Sequence, residues 1–183
     1  MGNVYKVVVT GPFNAGKTEF IRTISDIPIV TTERHISDDL KSVKDETTVA
    51  MDYGQVRLDA DQNPSDVFHL YGTPGQPRFD FMWDILAKEM HAFILLVDSR
   101  DRRDLETLVE EREQAKRLIR IFRRKSRGAY LVVANKQDME NALSAEAIGK
   151  ALGLDEKTLV IPCTATDKAS VRNVLEALRA LVQ

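Results

Sequence analysis

One cysteine and three histidines are all that this 183-residue chain holds of the side chains that build disulfide frameworks and soft-metal centres. Cys163 has no internal partner, so no intrachain disulfide forms and a reducing cytoplasm is the expected setting. His35, His69 and His91 fall in different segments, which argues against a histidine metal cluster or a catalytic triad. No apolar run approaches transmembrane length, and the N-terminus lacks a basic-then-apolar signal pattern. A lipid anchor is equally unexpected. Lys6 stands where a myristoylation signal wants Ser or Thr, and Ala180-Leu181-Val182-Gln183 carries no prenylation cysteine. The net charge is only −2, which argues against nonspecific nucleic-acid binding. What remains is 43% hydrophobic and 30% charged, the composition of a globular protein whose length suits one domain.

Against that plain background stands Gly11-Pro12-Phe13-Asn14-Ala15-Gly16-Lys17-Thr18, a complete G-x-x-x-x-G-K-T. It follows an apolar run over Val4–Thr10 that reads as a strand. A helical pattern through Phe20, Ile21 and Ile24 comes after it. This is the strand–loop–helix setting of a phosphate-binding P-loop. Gly11 and Gly16 let the backbone wrap an anion so that successive N–H groups meet its oxygens, and the helix adds its positive end. Lys17 is placed to reach the β- and γ-phosphates and Thr18 to give its hydroxyl to Mg²⁺. The expected nucleotide-binding set here is Gly11, Asn14, Ala15, Gly16, Lys17, Thr18 and Glu19.

Strand and helix patterns alternate along the rest of the chain. Strands are expected at about 48–58, 66–71, 92–97, 129–134 and 158–162, and helices at about 79–90, 104–124, 145–152 and 169–181. Turn formers over Asp59–Ser65 predict a hairpin, so one strand should run against the others. The expected fold is α/β: a six-stranded, mostly parallel sheet with one antiparallel strand and helices on both faces. The phosphate loop then lies at the carboxyl ends of the strands, where such sheets bind ligands.

P-loops serve ATP and GTP alike, but Asn135-Lys136-Gln137-Asp138, straight after the strand Tyr130–Ala134, points to guanine. A carboxylate at Asp138 can accept side by side from N1–H and the 2-amino group, a donor pair adenine lacks. Asn135 would brace this loop against the P-loop, and the Lys136 stem can lie along the base. Here the sequence resembles the Ras-like small GTPases, whose N-K-x-D motif it matches. The resemblance implies a P-loop NTPase G domain over residues 1–183. It also implies a third base contact after the last strand, where Thr164-Ala165-Thr166 stands and the useful group is a backbone N–H, that of Ala165.

By the same resemblance, two switch segments, at about 31–53 and 71–85, touch the γ-phosphate and Mg²⁺. Thr47 and Thr48 are the candidates for the first switch hydroxyl on the metal, with Thr48 preferred because it runs directly into a strand. In the second, Gly75 would give a backbone N–H to the γ-phosphate and Gln76 would orient the attacking water. Gly72 stands where the family carries an Asp. The segment Tyr71-Gly72-Thr73-Pro74-Gly75-Gln76 looks more like the bacterial gliding-motility (MglA-like) group, which lacks that Asp. Asp52 is the candidate to complete the metal's outer shell, an exposed strand carboxylate being the alternative. The implied metal set is Thr18, Thr48 and Asp52.

Phe13 sits where Ras proteins carry Gly and would crowd an arginine supplied by a partner; Arg34 and Arg78 are internal candidates or plain surface charges. Phe79, Phe81, Met82 and Trp83 read either as an effector surface or as core. The resemblance implies a switch that hydrolyses GTP to GDP slowly through Gln76 and Lys17. It also implies a Roadblock-type (MglB-like) protein regulator, with bacterial polarity or signalling as the setting. A GTP/GDP-binding module with little hydrolysis is the competing reading. An ATP-dependent kinase is disfavoured by Asp138.

Overall fold

The computed structural model describes residues 2–31, 51–60, 63–74, 83, 85–101, 105–125 and 128–183. Strand β1 (Val4–Thr10) leads through the phosphate loop into helix α1 (Lys17–Ile24). Then come β2 (Val30–Thr31), β3 (Asp52–Ala60), β4 (Asn63–Gly72), β5 (Ala92–Asp98), α2 (Leu105–Lys125), β6 (Ala129–Asn135), α3 (Ala145–Leu152), β7 (Val160–Pro162) and α4 (Lys168–Val182). The strands form one sheet in the order β2-β3-β4-β1-β5-β6-β7. β4, β1, β5, β6 and β7 pair in parallel, while β3 is antiparallel to both of its neighbours.

Six strands are expected from the sequence and seven are present among the described residues. The extra one, β2, is two residues long and carries no periodicity to read. The expected hairpin is there, but its turn is tighter than the run of turn formers suggests. β3 continues to Ala60 and β4 begins at Asn63, with a register irregularity between Leu58 and Ala60. Pro64 is tolerated in β4 because β1 pairs only from Val67 onward, so no second ladder needs its missing N–H.

β5 is buried along its whole length, as its uninterrupted apolar run implies for a central parallel strand. Alternate residues of β1 divide between two cores: Val7 and Val9 join Phe20, Ile21, Ile24, Val174 and Leu178 on one face. Val8 joins Phe93, Leu118, Phe122, Ile148 and Leu152 on the other. Helices thus cover both faces. In α4 the buried set Val171, Val174, Leu175 and Leu178 follows the i, i+3, i+4, i+7 stripe of an amphipathic helix. The Asp167 side chain caps α4 by accepting from the Ala169 and Ser170 N–H groups. Trp83 is helical, buried and packed near Phe122, so core packing is the role the structure gives it; Phe79, Phe81 and Met82 lie outside the described residues.

Candidate functional site

The phosphate loop leaves β1 at the carboxyl edge of the sheet. Gly11, Asn14 and Gly16 take φ of 150°, 62° and 96°, a sequence of turns that curls the main chain into an anion-binding concavity ahead of α1. Glycine is required at both ends. A Cβ at Gly11 would stand 2.2 Å from the Leu96 carbonyl oxygen, and one at Gly16 would stand 2.4 Å from Asn135 Nδ2. Lys17 is buried, and its Nζ donates to the carbonyls of Gly11 and Pro12 at 2.9 and 2.7 Å. Burial pushes its ammonium down to about 8, while the nearby Asp52 carboxylate pulls it upward. Ala15 is buried, and its N–H donates to the Pro12 carbonyl. The Glu19 carboxylate pairs with Arg22 on the exposed side of α1, so any role at the phosphates falls to its main chain.

Beside Lys17, Thr18 Oγ1 donates to Asp52 Oδ2 at 2.6 Å. Asp52 opens β3 and is the register partner of Gly72, the last residue of β4. A Cβ on Gly72 would meet Ile21 Cδ1 at 3.0 Å, Asp52 Cβ at 3.1 Å and Asp52 Oδ2 at 3.3 Å. The carboxylate therefore occupies space that a side chain on Gly72 would need. Next to Gly72, Thr73 donates its hydroxyl to Thr10 at 2.9 Å in a buried pair that ties the end of β4 to β1.

Along the same edge, β6 ends in Asn135 and leads into Lys136-Gln137-Asp138, the segment expected to read the base. Asn135 is buried and joins two loops: Nδ2 donates to the Ala15 carbonyl at 2.9 Å, and Oδ1 accepts from the Ala165 N–H at 3.0 Å. The Ala165 amide, expected to face a base, is thus engaged with Asn135. Lys136 adopts a left-handed φ of 67° and its Nζ donates to Asp98 Oδ2 at 2.9 Å. Asp138 is exposed. The Thr164 N–H donates to Ser170 Oγ at 3.0 Å, which holds the loop after β7 to the start of α4.

This arrangement of P-loop and base-reading segment on one sheet edge coincides with a family match. Residues 2–182 match the ADP-ribosylation factor (Arf) family. The chain belongs to that family. It is accordingly a GTP-binding protein of the Ras-like small GTPase superfamily. Similar proteins include the mutual gliding-motility protein MglA of Myxococcus xanthus, 27% identical over 154 residues, covering 80% of this chain and 74% of that protein. ADP-ribosylation factor K of Dictyostelium discoideum is 33% identical over 101 residues, covering 52% of this chain and 51% of its own. Human ADP-ribosylation factor-like protein 4A is 27% identical over 109 residues, covering 59% of this chain and 52% of its own.

Several residues singled out for this Arf-family chain lie outside the described residues: Arg34, Thr47, Thr48, Gly75, Gln76 and Arg78. Two residues that sequence reasoning missed are Asp98 and Arg100. The Asp98 side chain is nearly inaccessible, accepts from Arg100 Nε and Nη2 as well as from Lys136, and closes β5 beside Asn135. Burial works to raise its carboxyl, but the bonds from Arg100 and Lys136 outweigh it and hold the group well below the usual carboxylate range. The available signal was a carboxylate ending an otherwise apolar strand at the ligand-binding edge. No described helix is long and apolar enough to cross a membrane.

Proposed function

We propose that this chain is one G domain that cycles between GTP and GDP, hydrolyses GTP slowly, and signals through segments 31–53 and 71–85. The observation that carries the reading is the Thr18–Asp52 pair beside Lys17, on the same sheet edge as Asn135, Lys136 and Asp138. Among the described residues no group of three or more His, Cys, Asp or Glu could hold a metal. A hydroxyl and a carboxylate oxygen next to a phosphate loop instead suit Mg²⁺, a hard cation that takes few protein oxygens and completes its shell with phosphate and water. Thr18, Thr48 and Asp52 would hold it, and when bound it offsets charge on the β- and γ-phosphates. Lys17 neutralises the same oxygens, Gln76 orients the attacking water, and Gly75 supplies an amide. Asp138 reads the guanine edge, with Lys136 along the base and Thr164 and Ala165 closing the pocket.

Likeness to a gliding-motility protein supports a bacterial signalling role in the cytoplasm and a Roadblock-type (MglB-like) activator. Purified protein incubated with GTP and Mg²⁺ should release phosphate slowly, and Gln76→Leu should be slower still. Equal release from the two proteins favours the second reading, a GTP/GDP-binding module with little hydrolysis. That reading draws on Phe13, which stands 68% exposed on the phosphate loop where an arginine from a partner would have to enter.

A further inference from the structure

The exit of β5 is fastened to the base-reading loop by more bonds than a chain crossing needs. The Ser99 N–H donates to the Asn135 carbonyl at 3.0 Å, and the Leu143 N–H donates to the Ser99 carbonyl at 2.7 Å. Arg100 and Ala142 form an antiparallel bridge, and the Asp101 N–H reaches the Asn141 carbonyl at 3.3 Å. Gln137 Nε2 closes the loop on itself through the Leu143 carbonyl at 3.0 Å. At the centre of this seam lies Asp98. Its Oδ1 takes the Arg100 N–H and Nε, and its Oδ2 takes Arg100 Nη2 at 2.7 Å and Lys136 Nζ at 2.9 Å.

Lys136 carries a four-carbon stem with several rotatable bonds, and its main chain is already in the left-handed region. Freely moving, such a side chain would lose considerable rotamer entropy on packing against a base. Pinned at its ammonium by a fixed carboxylate, it is ordered in advance. The fork of Arg100 prevents the carboxylate itself from turning, because a planar guanidinium bonds both oxygens in one plane.

We propose that Asp98, oriented by Arg100, is a positioning residue for guanine-nucleotide binding: it holds the Lys136 stem as a preformed wall of the base pocket. The inference rests on the reading of Asn135–Asp138 as a guanine site, and concerns a carboxylate outside that motif. Asp98 acts through Lys136 and leaves hydrogen-bond reading of the base edge to Asp138.

The test is a double-mutant cycle read by isothermal titration with GDP, IDP and ADP in Mg²⁺. Asp98→Asn should bind GDP about tenfold more weakly, the scale of losing one hydrogen bond between charged groups. In a Lys136→Ala background the same change should alter affinity by less than about twofold, since the residue acts through that lysine. IDP lacks the 2-amino group, so the GDP-to-IDP ratio reports Asp138 and should be the same in Asp98→Asn as in wild type. Arg100→Gln should weaken GDP binding in the same direction but less. Full GDP affinity in Asp98→Asn overturns the proposal, as does an equal loss with and without Lys136, which would mark a merely structural role. Collapse of the GDP-to-IDP ratio overturns it too. Wild-type protein that binds ADP as well as GDP would instead refute the underlying guanine reading.

Discussion

Asp52 and Gly72 face each other across the β3–β4 pair, and the Asp52 carboxylate lies 3.3 Å from where a Gly72 Cβ would stand while accepting the Thr18 hydroxyl. The two positions share one volume. A carboxylate can come from either strand, but there is room for only one. Here the carboxylate stands on β3, and the glycine opposite it on β4 leaves it room.

That exchange makes the two positions interdependent. Asp52→Ala should raise the Mg²⁺ concentration needed for GTP binding, and Gly72→Asp should lower stability by about 1–3 kcal/mol through crowding and like charge. Combining Asp52→Ala with Gly72→Asp should restore much of both, because the new carboxylate inherits the vacated space. Thermal melts and Mg²⁺ titrations of the three variants check this; strictly additive losses would contradict it.

Lys17, if it meets the phosphates as proposed, should couple nucleotide binding to protons. Its folded pKa of about 8 lies below the ordinary 10.5, so between those values the unfolded chain binds more protons than the folded one. The cost of burying the charged ammonium is therefore fully present below pH 8 and fades as pH rises towards 10.5. Anionic phosphates favour the charged form, so binding at pH 8 should take up about half a proton per GDP. Isothermal titration in two buffers of different ionisation enthalpy measures that number. Affinity should weaken as pH rises above 8.

Gly16→Ala should disable the site. The residue has φ of 96° and its Cβ would lie 2.4 Å from Asn135 Nδ2, so the mutant bears both backbone strain and a clash with the residue that joins the two loops. The strain alone is worth about 1–3 kcal/mol. GDP binding should be lost, and adding Asn135→Ala should remove the clash without restoring stability or affinity, because the strain remains and the Ala15 carbonyl and Ala165 N–H lose their partner. Melting curves with and without GDP separate the two effects.

Stability and binding should separate at the far end of β1. Asp66 is buried, accepting from the Asn3 N–H at 2.8 Å and from Arg179 Nε at 2.7 Å. Asp66→Ala leaves the largely buried Arg179 with only the longer 3.9 Å pairing to Glu176 and should cost about 3 kcal/mol. GDP affinity of the folded protein should hardly change, because the phosphate loop leaves the opposite end of the strand. Denaturant unfolding and a GDP titration on the same variant check both halves.

Much of the fold and the candidate site is legible in the sequence. The phosphate loop and Asn135–Asp138 are short runs whose chemistry depends on spacing along the chain. The alternation of apolar strands with amphipathic helices names an α/β sheet, and the turn formers before β4 announce its antiparallel neighbour. Local rules faltered where a contact joined distant segments. The two-residue β2 has no period to detect, and β3 and β4 run further into the hairpin than Asp59–Ser65 suggests. Asp52 stood out only as one candidate carboxylate, and Asp98 did not stand out at all.

The sequence by itself determined the class of fold and spelled out the G-x-x-x-x-G-K-T and N-K-x-D motifs, because each is written in neighbours a few residues apart. The tertiary structure alone decided that Asp52 sits on Thr18 and fills the space beside Gly72, and that Asp98 holds Lys136. The Thr18–Asp52 and Asp98–Lys136 pairings span 34 and 38 residues and depend on sheet order and register. A register slip of one residue would turn the β3 side chains to the opposite face, so only the packed sheet can bring these groups together.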